Sequence, residues 1–252
     1  MNPVSISMIA FLLAVTGILM GCGLRRMLPA EQLEAESKDA IKLGLGIVMT
    51  LSALVLGLLV ASAKSGYDVR RSEINQITSG VILLDYLLSK YGDDARPVRI
   101  ALREEVPLVA ARIWNEGQAF SSHLGPFKPL HKGELLYQRI QGLQPSSDAQ
   151  QELKRRIVQL THDLAEVRLS LFSHLSRSIP LPFLIVLLSW VAVIFTGFSV
   201  MAPAKITPLS FLIISALSVS GAIFLVLELD QPFAGLMMIS DEHLLSALQP
   251  LS

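Results

Sequence analysis

One cysteine, Cys22, stands among 252 residues, which excludes an intrachain disulfide and a multi-cysteine zinc site. Net charge is also missing, with 21 Lys and Arg set against 21 Asp and Glu. No overall positive field exists to hold a polyanion, so nucleic acid is not expected as a partner. Catalytic signatures are absent as well. The chain has no Gly-rich phosphate loop ending in Lys-Ser/Thr, no His-Glu-x-x-His, no Gly-x-Ser-x-Gly and no Cys-x-x-Cys. Gly44-x-Gly46 lacks the third glycine of a dinucleotide fingerprint and falls inside an apolar run. Without a visible nucleophile–base pair, the chain is read as a non-enzyme, and neither cofactor nor metal is expected.

Charge is missing locally, too. Four stretches carry no Asp, Glu, Lys or Arg: Val4–Cys22, Leu43–Ala63, Ile179–Ala202 and Ile206–Leu227. Roughly 20 apolar residues span about 30 Å of hydrocarbon as a helix, so each stretch is long enough to cross a bilayer. With no convincing strand pattern, the sequence predicts an all-α, polytopic membrane protein of four transmembrane helices. The runs hold no mid-membrane ionisable residue, which argues against a proton antiporter or voltage sensor. A pore, if present, is lined by hydroxyls, apolar rings and backbone.

The predicted organisation is a transmembrane hairpin over 1–63, a soluble helical domain over 64–178, a second hairpin over 179–227 and an interfacial tail over 228–252. The tract Leu19-Met20-Gly21-Cys22 resembles a lipoprotein cleavage box, but residues 1–7 hold no Lys or Arg, so a retained first span is the simpler reading. Pro29 and the helix formers behind it predict a short helix running into span two.

The 64–178 region carries 16 basic and 13 acidic side chains. Ile74, Ile77, Val81, Leu84, Leu88 and Tyr91 alternate three and four apart, as do Leu153, Ile157, Leu160, Leu164, Val167 and Leu171. These are partly coiled-coil-like a/d seams. Each is expected to extend a transmembrane helix, because no proline interrupts either stretch before Pro180. Asp94 before Pro97 is read as a helix cap, Ser147 with Gln150 as a capping box, and Ser121–Lys132 as an exposed loop. His162 and Glu166 share one helix face, which is read as solvated rather than metal-binding; His123 and His131 are read as surface residues.

Two small-residue steps occur in the spans: Gly17-x-x-x-Gly21, then Ala53-x-x-x-Gly57-x-x-x-Ala61. In lipid such steps let helix backbones approach closely, within one chain or between copies. The candidate pore lining is Thr50, Ser52, Ala53, Gly57, Ala61 and Ser62 of span two, with Ser215, Ser218 and Ser220 as hydroxyls of span four. Lys64, Arg70 and Arg71 are the candidate pore-mouth charges. Basic residues near span ends divide evenly between the sides, so the charge rule assigns no orientation, although Arg25-Arg26 after an uncharged N-terminus favours the domain outside.

The stretch Leu227-Glu228-Leu229-Asp230-Gln231-Pro232-Phe233-Ala234-Gly235, followed by Ile239-Ser-Asp-Glu-His-Leu244, resembles the closing motif of the bacterial bestrophin-like domain family, integral membrane proteins defined largely as a domain of unknown function. Leu54–Tyr67 resembles that family's second span and exit. Glu228, Asp230, Pro232, Phe233 and Gly235 are the motif residues, with Glu228 and Asp230 read as caps of a following helix. The resemblance implies distant likeness to bestrophins, pentameric anion channels with a cytosolic helical region. It implies a multi-pass protein of the inner (plasma) membrane, a cytosolic 64–178 domain, a homo-oligomer in the lipid bilayer and inorganic anions, chloride among them, as ions conducted. Span two departs from bestrophins in holding no Phe, Tyr or Trp. The alternative is a non-conducting scaffold or sensor whose seams recruit a partner or transmit a signal.

Overall fold

The computed structural model describes residues 2–28, 35–120, 131–173, 179–203, 205–231, 233 and 235–239. Its elements are α1 (Pro3–Met27), α2 (Ala35–Tyr91), a 3-10 turn (Asp93–Ala95), α3 (Arg96–Phe120), α4 (His131–Gln141), α5 (Asp148–Ser173), α6 (Leu181–Met201) and α7 (Ile206–Leu229). The class is all-α, and α1, α2, α6 and α7 are each long and apolar enough to cross a membrane. The helix expected from Pro29 is described only from Ala35, inside α2. Of the expected loop, 121–130 lies outside the described residues together with His123, while His131 and Lys132 open α4. His174, Arg177, Pro232 and His243 also lie outside them.

Contacts divide the chain into two compact units, Met1–Gly66 with Arg177–Asp230 and Tyr67–Ser176 with Gln231–Ser252. In the first, the span unit, prolines sit where a missing N–H costs nothing: Pro3 and Pro182 lie in the opening turns of α1 and α6. α1 buries one face, Ile6, Ala10, Ala14, Gly17, Ile18 and Gly21. Its N-terminal half joins Leu59, Ala63, Leu187 and Ile223 in one apolar cluster, and its C-terminal half joins Val191, Phe195 and Ala216 in another.

The second, helical unit is built on the two seams. Ile74, Ile77, Val81, Leu84, Leu88 and Tyr91 are all buried, and the α5 seam packs against the same cluster through Ile157, Leu171 and the partly buried Leu153, Leu160, Leu164 and Val167. The seams thus close on each other inside one chain. Gly80 admits this approach, since a Cβ there would stand 2.6 Å from Leu164 Cδ2. At the end of α2, Gly92 takes φ 111°, a conformation that side-chain-bearing residues rarely adopt. The 3-10 turn follows it, so Asp94 lies in the middle of that turn, two residues before α3, instead of capping a helix. The capping box forms with an offset: Ser147 Oγ accepts from Gln150 N–H at 3.2 Å, while Gln150 Oε1 accepts from Ser146 N–H at 2.8 Å. Lys154 Nζ donates to Gln141 O and Leu143 O, both at 2.7 Å, satisfying carbonyls at the end of α4. α5 ends at Ser173, and α6 begins only after the non-helical Ile179 and Pro180.

Candidate functional site

The two glycine steps of the spans meet different surroundings. In α1 a Cβ on Gly17 would lie 2.8 Å from Ala192 O, and one on Gly21 would lie 2.5 Å from Thr196 O. That helix is pressed backbone to backbone against α6. A hydroxyl seals the contact, Ser199 Oγ donating to Ile18 O at 2.7 Å, and another ties α7 to α1, Ser220 Oγ donating to Ser7 O at 2.6 Å. Gly197 gives a third close approach, with Leu45 of α2 against it.

The α2 step touches none of this. Within the span unit Ala53, Gly57 and Ala61 are exposed, and a Cβ on Gly57 would meet nothing within 4 Å. At 3.6 residues per turn, Thr50, Ala53, Gly57, Ala61 and Lys64 fall on one stripe, because their spacing alternates near three and four. A neighbouring stripe of Ile47, Leu51, Leu54 and Leu58 is exposed and aliphatic. The packed side of the same helix carries Leu45, Ser52, Leu59 and Ala63.

The candidate lining residues therefore separate. Thr50, Gly57 and Ala61 are exposed, Ala53 is exposed at the edge of a cavity that α2 shares with α6 and α7, Ser62 is half-buried, and Ser52 is buried. Thr50 Oγ1 donates to Gly46 O at 2.9 Å and Ser52 Oγ to Val48 O at 2.7 Å. Ser215 and Ser218 likewise bond back to Phe211 O and Ile214 O. Such back-bonds satisfy the hydroxyl proton inside its own helix and leave the oxygen lone pairs outward. Of the mouth charges, Lys64 and Arg71 are exposed, whereas Arg70 is only 3% exposed.

The closing motif is distributed. Glu228 is 3% exposed in the last turn of α7, and Asp230 is half-buried at that helix's C-cap. Turns and bends follow in the described residues, so the two acids end α7 and start no new helix. Phe233 belongs to the core of the helical unit, edge-on to Trp114 with ring centroids 5.8 Å apart. Trp114 Nε1 donates to Ile239 O at 2.9 Å, and Gly235 takes φ 96° in the turn between them. The motif's aromatic and glycine thus bind the tail to α3. A contact across more than a hundred residues leaves no local spacing signal.

The helical unit also contains an ion cluster that sequence reasoning missed. Asp85 on α2 accepts from Arg99 Nε at 3.0 Å and Nη2 at 2.8 Å, and from Arg103 Nη2 at 3.3 Å. The Arg99 hydrogen bonds hold its carboxyl below the usual range against the opposing cost of burial, and they raise the Arg99 guanidinium in turn. Arg99 and Arg103 are four apart on α3, and that spacing is the one signal available beforehand. Buried Glu73 accepts from Ser170 Oγ at 2.6 Å. His162 stacks edge-on against Tyr137, and among the described residues no cluster of His, Cys, Asp and Glu has the makings of a metal site.

Comparison with known proteins gives a family match. The family model for the Bestrophin-like domain covers residues 10–244. No characterised protein and no solved structure matches the chain. The chain belongs to the bestrophin-like domain family and, with its four apolar helices, is a membrane protein.

Proposed function

We propose that this bestrophin-like protein assembles as a homo-oligomeric anion channel in which α2 lines the pore and the helical unit forms a vestibule. The carrying observation is the uncovered small-residue stripe of α2, Thr50, Ala53, Gly57 and Ala61. The other glycine step, in α1, is consumed by α6. A stripe without bulk suits a water-filled path or the close approach of a second copy, while the adjacent aliphatic stripe suits lipid. The stripe carries no acid, and Lys64 stands at its end. The helical region's excess of basic over acidic side chains adds a field that concentrates anions such as chloride. A plasma-membrane location with the helical unit on the cytosolic side follows from the same reading.

The scaffold reading needs the heptad seams as a recruiting surface. Those seams are buried against each other, so they offer little to an outside partner. Anion efflux from proteoliposomes tests the channel. Efflux above empty vesicles, abolished by Gly57→Leu, is the expected result, and no efflux over several ions and voltages overturns the reading.

A further inference from the structure

Two cavities in the span unit share a wall. The first, about 400 Å³, lies among α2, α6 and α7 and is lined by Leu56, Val191, Phe195, Leu212 and Val219 among other residues. Among the described residues its polar lining is Ser52 and Ser215, whose hydroxyls bond back into their own helices. The second, about 340 Å³, sits where α1 and α6 end and α7 begins; Arg25, Arg26, Lys205, Ile206 and Leu209 line it, and Leu212 belongs to both. The two cavities thus pair a basic compartment at the membrane boundary with an apolar one among the spans.

Several features of the basic compartment call for an anion. Among the described residues no acidic side chain lines it. Arg25 Nη1 is shielded from solvent and has no hydrogen-bond partner among the described residues, a condition that costs free energy until an acceptor arrives. Lys205, the N-cap of α7, provides no side-chain cap, and it and Ile206 line the compartment, so the positive end of that helix dipole lies beside it. A soluble anion would use only half of what is built, because Leu209 and Leu212 lead from the cations into the hydrocarbon-like cavity.

We propose that the span unit binds an anionic glycerophospholipid, its phosphate held by Arg25, Arg26 and Lys205 and one acyl chain lying in the cavity among α2, α6 and α7. This site is independent of whether the protein conducts. Native mass spectrometry of the full chain tests it, with the protein titrated in detergent with phosphatidylglycerol or with phosphatidylcholine of identical chains. Phosphatidylglycerol is expected to bind at concentrations at least about tenfold lower, following the usual gain per basic residue for an anionic headgroup. The preference should vanish in the triple variant Arg25→Gln, Arg26→Gln, Lys205→Gln. Retention of both lipids should fall in Ser215→Phe, which fills the apolar cavity. Equal binding of the two lipids by the unaltered protein overturns the proposal, whether or not the variants fold. So does a triple variant that keeps the preference. Displacement of phosphatidylglycerol by inorganic phosphate or glycerol 3-phosphate at similar concentrations would make this a site for soluble anions and overturn it as well.

Discussion

Helices α1 and α2 carry the same four-residue step of small side chains and use it in opposite ways. Gly17 and Gly21 of α1 are closed by the backbone of α6, and Ser199 bonds across the contact they allow. Ala53, Gly57 and Ala61 of α2 are exposed, Ala53 at the rim of the cavity shared with α6 and α7 and Gly57 in open space. Small-residue spacing thus marks where a backbone can approach, and the rest of the sequence decides what approaches. On α6 the matching surface is itself small and hydroxylic, Ala192, Thr196 and Ser199. Nothing among the described residues supplies such a surface to the outward stripe of α2.

That contrast can be broken by filling each step in turn. Gly21→Leu should be the most damaging change, because its side chain would run into Thr196 O and Ser199. Overpacking of this kind costs about 3 kcal/mol, and more where backbone blocks relief. The chain has two tryptophans, Trp114 in α3 and Trp190 in α6. Fluorescence of Trp190 in a Trp114→Phe background would therefore follow loss of the span unit alone.

A change in the other unit should leave that reporter still. Asp85→Asn removes the carboxylate that accepts from Arg99 and Arg103. Loss of a partly buried charge-assisted pair is expected to cost about 1–2 kcal/mol, read by Trp114 fluorescence in a Trp190→Phe background. The pH dependence has a definite sign. Because the Asp85 pKa is lowered in the folded protein, its stabilisation is fully present above the unfolded value of about 3.9 and is lost as pH falls through the lower folded value. Asp85→Asn should flatten that acid-side loss of stability.

Ser199→Ala sharpens the comparison within α1 itself. It deletes the hydrogen bond to Ile18 O without touching the glycines, for an expected loss of about 0.6 kcal/mol, the average for interhelical bonds in membranes. Gly57→Leu should be the mildest of all for the isolated subunit, within about 0.5 kcal/mol, since nothing stands near its Cβ. Its effect is expected on assembly and flux instead.

Much of the architecture was legible beforehand, for simple reasons. A helix crossing hydrocarbon cannot carry charge, so four uncharged runs announced four spans. The seams at Ile74–Tyr91 and Leu153–Leu171 announced a helical core, because a buried face on a helix must recur every three to four residues. What those patterns omit is the partner. Periodicity puts Gly17 and Gly21 on one face but does not say that the face belongs to α6. Nor does it tie Phe233 to Trp114, or Asp85 to Arg99, because each contact joins elements whose relative placement is set by the whole fold. Arg70 shows the same limit: a charge at the end of a span reads as a mouth residue, yet this one is buried. Arg25 and Arg26, adjacent in sequence, meet Lys205 only because α1 and α6 end together.

The central claim is that the open stripe of α2 is a face completed by further copies of the chain. The most direct test is the protein mass of the purified complex by light scattering that subtracts bound detergent. A closed assembly of four or more copies, falling to smaller species in Gly57→Leu, is the result expected; a monomer, or an assembly unmoved by Gly57→Leu, would contradict it.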